Sequence, residues 1–105
     1  MSEDNQIDIP ASFIALFVAP GRQKPSEPRH VVADRYELCE DMATMLAETA
    51  KNMQFSLGIS EHEVLVRIQR GLTGDDAVVS VPEAQWVMQR LAELVGWEFD
   101  PTLLF

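Results

Sequence analysis

From Val32 to Leu57 the chain places Val32, Tyr36, Cys39, Ala43, Leu46, Ala50, Met53 and Leu57 at alternating intervals of four and three, and every one is apolar or aromatic. A backbone with about 3.6 residues per turn gathers such positions onto one face. Asp34, Glu37, Asp41, Thr44, Glu48 and Lys51 keep the same interval on the other side and are all polar. Leu38, Met42 and Met45 widen the stripe along one flank. The pattern predicts one long amphipathic helix over residues 31–57, with Gly58 as its C-terminal stop. An apolar stripe of that length has to be covered, which commits the chain to a helical core.

Local signals on either side extend the helical reading. Ser60-Glu61-His62-Glu63 has the form of a capping box, in which Ser caps the helix and Glu reaches back three residues later. The helix it starts, over about 61–72, carries Val64, Leu65, Ile68 and Leu72 on one face, and Gly71 with Thr73-Gly74-Asp75-Asp76 ends it. Residues 77–81 suit a short extended crossing. A second box at Ser80-Val81-Pro82-Glu83 opens a helix over about 82–95, with Ala84, Val87, Met88, Leu91 and Val95 inward and Gly96 closing it. Near the N-terminus, Pro10 to Val18 reads as a short apolar helix bounded by prolines, although six consecutive apolar residues also fit a strand. Residues 20–30 hold three prolines and a glycine and read as an extended loop. The fold class is therefore all-α: a small bundle of three to four helices around one long helix.

With 105 residues the chain suits a single domain over 1–105, with a flexible tail at 1–8 and an apolar C-terminal tail at 97–105. The apolar share of 47% supports one real core. Lys and Arg number 8 against 17 Asp and Glu, a net charge of −9. That field repels phosphate backbones and anionic bilayers, so neither nucleic acid nor membrane is expected as a partner. The longest apolar block, Phe13 to Ala19, is far shorter than the ~20 residues a bilayer requires. The acidic, polar start lacks the order of a secretory signal, and the lone Cys39 permits no intramolecular disulfide. A cytoplasmic location is the expectation.

The sequence lacks the residue patterns that catalysis of the common classes requires. A phosphate-cradling loop needs glycines leading into Lys-Ser/Thr, and the only lysines, Lys24 and Lys51, follow no glycine. Zinc needs about four converging ligands, whereas Cys39, His30 and His62 have no paired spacing. His30 falls in the proline-rich loop and His62 in a helix's first turn, both read as solvated. Cys39 lies on the apolar stripe and reads as a small hydrophobe. Glu37, Glu40, Asp41 and Glu48 read as a solvated acidic face, and Arg67 and Arg90 as surface partners of Glu63 and Glu93. Helices 61–72 and 82–95 do not form a DNA-reading pair, because the intervening loop is long and acidic. No enzyme, cofactor or metal is expected on these grounds.

Two features exceed what a core requires. Arg22, Lys24 and Arg29 make the loop at 20–30 basic on an acidic protein. Leu103, Leu104 and Phe105 make an apolar C-terminus able to enter a partner's pocket; the Leu-Phe ending resembles peptides that bind bacterial sliding clamps, without their upstream glutamine. Met42, Met45, Met53 and Met88 suit an adaptable groove, although core filling is the expected role.

Ile7-Asp8-Ile9-Pro10-Ala11-Ser12-Phe13-Ile14-Ala15-Leu16-Phe17 with Pro20-Gly21-Arg22, Arg35-Tyr36-Glu37-Leu38-Cys39-Glu40-Asp41-Met42-Ala43 and Val87-Met88-Gln89-Arg90-Leu91-Ala92-Glu93-Leu94 resemble a group of small bacterial proteins. Proteins of that group are sometimes labelled as an ATPase with chaperone activity, and the likeness covers most of the chain. The label implies ATP hydrolysis, which the absence of a phosphate loop opposes; association with an ATP-dependent chaperone or unfoldase is the form of it these residues allow. No site residues transfer. The expected function is a non-enzymatic adaptor that binds another protein, with a nucleotide-dependent enzyme and a structural homodimer as alternatives.

Overall fold

A computed structural model describes residues 8–100. Among them are four α-helices, α1 (Ala11–Ile14), α2 (Arg29–Leu57), α3 (Glu61–Leu72) and α4 (Val81–Val95), a single 3-10 turn (Ala15–Phe17), and no strand. The fold is all-α, as the periodicity predicts. The chain divides into two compact units, one ending at Leu38 and one starting at Cys39, so the division falls inside α2.

The first unit is built on Phe13. Pro10 accepts backbone hydrogen bonds from the amides of Phe13 and Ile14 (3.0 and 3.1 Å) and so opens α1. The helix then tightens into the 3-10 turn and stops at Val18, whose backbone is extended. The helix expected from Pro10 to Val18 is thus one α turn followed by one tighter turn, and the strand alternative is set aside. Phe13 is fully buried, with the Phe17 and Tyr36 rings each 5.6 Å away, the latter edge-on. Such tilted aromatic pairs contribute about 0.5–1.5 kcal/mol beyond their buried area. The Ser26 amide donates to the Phe17 carbonyl at 2.6 Å and ties the following loop down. Pro28 then accepts from Val31 and Val32, so α2 begins at Arg29, two residues earlier than the stripe indicates. Arg29 and His30 therefore belong to the helix, not to the loop.

In the second unit, α2 from Cys39 onward, α3 and α4 form a three-helix bundle. Each helix boundary has a local cause. Gly58 (φ 64°) and Gly96 (φ 77°) adopt the left-handed conformation that ends α2 and α4. After Gly96 the Trp97 amide turns back onto the Ala92 carbonyl at 2.9 Å, closing the helix end. Ser60 and Ser80 cap α3 and α4, each accepting from an amide three residues on at 3.1 Å. Glu83 completes its box by accepting from the Ser80 amide at 2.9 Å. Glu63 instead turns its carboxylate to Arg67 (3.2 Å).

The buried edge of α2 here is small: Cys39, Ala43, Ala47 and Ala50. The volume comes from α3 and α4, which bury Val64, Leu65, Ile68, Leu72, Val87, Met88 and Leu91. The expected stripe is rotated toward Ala47. Leu46 and Met53 are only half-buried and Leu57 is exposed. Glu40, read from sequence as part of a solvated face, lies on the other edge and reaches α4. Its Oε1 accepts from Arg90 Nε at 2.9 Å and its Oε2 from Arg90 Nη2 at 3.0 Å. The Arg90–Glu93 pair expected from sequence is present as well, at 3.3 Å.

Candidate functional site

The rotation of α2 leaves one of its apolar flanks without a full cover. Met42, Met45, Leu46, Thr49 and Met53 follow one another around that flank at helical spacing and form a wall. Arg67, Ile68, Gly71 and Leu72 of α3 form the facing wall, and Asp76-Ala77-Val78-Val79 closes one end. The space between them is an open groove of about 390 Å³. Its surface is mainly carbon and sulfur. Met45 is 62% exposed and Val78 64%.

The closing segment owes its shape to a turn. Ala77 donates its amide to the Gly74 carbonyl at 3.0 Å. That turn sends Val79 inward, where it is buried, and leaves Val78 outside. The piece expected to be extended at 77–81 is a bend, and α4 already begins at Val81. Gly71, expected to end α3, lies inside the helix, whose C-cap is Thr73. At Gly71 a methyl group would meet no neighbour within 4 Å, so α3 presents bare backbone to the groove there.

Of the polar groups at the groove, Thr49 and Arg67 are engaged locally, while Asp76 at its end is exposed. The Thr49 hydroxyl donates to the Met45 carbonyl at 3.3 Å, and the Arg67 guanidinium pairs with Glu63. Methionine is unbranched and polarizable, so a wall of three can re-pack against differently shaped apolar partners. The groove is chemically a surface suited to holding carbon.

The residues singled out from sequence are placed differently. Arg22 and Lys24 are exposed and line a shallow depression made by residues 19–26. Arg29 is also exposed but lines another hollow, with Ile9, Ile14, Glu27 and Val32. The three cations therefore do not line one common site. Leu103, Leu104 and Phe105 lie outside the described residues. Of the four methionines, Met88 fills the core as expected, while Met42, Met45 and Met53 line the groove. Core filling is the expected role for these three as well; the reason for the difference is that no described element of this unit fully covers their flank of α2. His62 is exposed, beside a more polar hollow lined by Glu61, Leu65, Gln89 and Trp97 among others. Among the described residues no group of three or more His, Cys, Asp or Glu side chains is placed to hold a metal ion. No described helix is long and apolar enough to cross a membrane.

Compared with known protein families, curated proteins and solved structures, the chain matches none. The groove's own geometry is therefore the ground for a functional reading.

Proposed function

We propose that this protein is a non-enzymatic interaction module that holds an apolar segment of another protein in the methionine-lined groove. The observation that carries the reading is the exposure of Met45 and Val78 beside each other's walls. Large apolar side chains scattered singly over a surface are ordinary, but several converging on one concavity mark a binding site. A partner burying them gains roughly 25 cal/mol for each Å² of apolar surface removed from water. Given the resemblance described above, an ATP-dependent chaperone or unfoldase is the partner class we favour. A cytoplasmic setting accords with the lone thiol, Cys39, reduced and buried.

The test uses photo-reactive methionine incorporated throughout the chain and native lysate as the source of partners. The expected result is a partner cross-linked at Met45, absent when Val78→Asp is introduced. Arg22→Glu with Lys24→Glu, and a copy ending at Asp100, serve as controls. A partner retained by the groove variant but lost with either control places the contact elsewhere and overturns the reading.

A further inference from the structure

The charges around the groove narrow what fills it. On α2, Asp41 and Glu48 lie four residues before and three residues after Met45, which puts both on the outer border of that wall. The loop at the groove's end carries Asp75 and Asp76, both exposed. Opposing them is Arg67, whose guanidinium is already paired with Glu63. Arg70 lies about 60° further round α3, away from the groove. The apolar floor is thus bordered by acid on two sides, on a chain of net charge −9.

The backbone of the site also selects a shape. No sheet edge exists among the described residues to receive an extended strand. The α2 wall from Met42 to Met53 runs for about 16 Å, three helical turns. A helix laying apolar anchors at i, i+4 and i+7 along it needs about 10 Å. A second copy of this chain is the wrong occupant, because a two-fold contact through this groove would bring Asp41, Glu48, Asp75 and Asp76 against an identical set.

We infer that the groove takes a basic amphipathic helix from its partner, with apolar anchors between the two walls and lysines or arginines over Asp41, Glu48, Asp75 and Asp76. This rests on the groove being the binding site. Acidic borders around a methionine floor also set specificity, since a helix with acidic flanks meets repulsion on both sides.

The test is methyl NMR of the intact protein labelled at methionine, titrated with synthetic helical peptides. One peptide carries leucines at i, i+4 and i+7 with lysines and arginines elsewhere. A second replaces every cation with glutamate, and a third scrambles the basic sequence to abolish the apolar face. The expected result is that the basic helix shifts the Met42, Met45 and Met53 methyls and leaves Met88 in place. Binding of the acidic and scrambled peptides should be weaker by at least about tenfold, a difference of ~1.4 kcal/mol. Asp75→Asn with Asp76→Asn should weaken the basic helix alone. Equal binding of basic and acidic helices overturns the charge inference and leaves the groove reading standing. No shift at the groove with either helix overturns both. Groove methyl shifts that depend on protein concentration without peptide identify a second copy and overturn the inference.

Discussion

Phe13 and Phe55 are the same residue in opposite circumstances. Phe13 is fully buried between two aromatic rings, whereas Phe55 is 92% exposed. Removing a buried ring loses its transfer energy and leaves a cavity. Phe13→Ala should therefore cost about 3–5 kcal/mol, read by urea titration of helical circular dichroism. Phe55→Ser should change the same midpoint by less than about 0.5 kcal/mol. The sequence distinguishes the two only in part. Phe13 has Phe17 one turn away, a local sign of a shared face, while Tyr36 joins them from well along the chain. Phe55 lies outside the stripe of α2, on its polar side. Leu57 lies on the stripe and is exposed nonetheless, because the helix ends at Gly58 before anything covers it.

Among the elements, α3 and α4 were legible nearly to the residue, because their limits are set by contacts within one turn. Ser60 and Ser80 cap, Gly96 stops, and no distant partner is needed. Gly71 is the misreading: a glycine near a helix end looks like a stop, but here the chain remains helical through Leu72. A methyl group there meets nothing, so Gly71→Ala should raise stability by about 0.5–1 kcal/mol through the smaller entropy lost on folding. Thermal melting of the variant checks it, and a fall would show that the backbone at Gly71 is not free to accept a side chain. The pairing of Glu40 with Arg90 was not legible, since fifty positions of sequence separate them and both also have nearer candidates. With side chains 34% and 24% exposed, the pair should show a coupling of about 1 kcal/mol in a double-mutant cycle of Glu40→Gln and Arg90→Gln. Hydrogen bonding to Glu40 raises the Arg90 pKa above the ordinary arginine value, against a smaller opposing effect of burial. The folded state binds that proton more tightly. Arg90's contribution is then fully present below the unfolded-state value and is lost only in strong alkali. Stability measured from neutral pH to about pH 10 should show no step that disappears with Arg90→Gln.

At the scale of the molecule, the methionine flank of α2 shows why the sequence does not decide between a groove and a filled core. Met42, Met45 and Met53 obey the same spacing whether another helix covers them or solvent does. Periodicity reports which side of a helix is apolar, not how wide a neighbour covers it. Charge is the other whole-molecule property, and it acts on folding and on binding with opposite sign. A net −9 destabilises the folded chain by self-repulsion, which salt screens. The urea midpoint should therefore rise as sodium chloride goes from about 20 to about 200 mM, where the Debye length falls below ~10 Å. Attraction of a basic helix to Asp41, Glu48, Asp75 and Asp76 is screened by the same ions, so its affinity should fall over that range. Asp75→Asn with Asp76→Asn should flatten both responses, because each charge removed lessens the repulsion within the chain and the attraction to the peptide. Affinity that is unchanged by salt while the midpoint rises would mean that the groove holds its partner through carbon contacts alone, with the acidic border acting only on the protein's own stability.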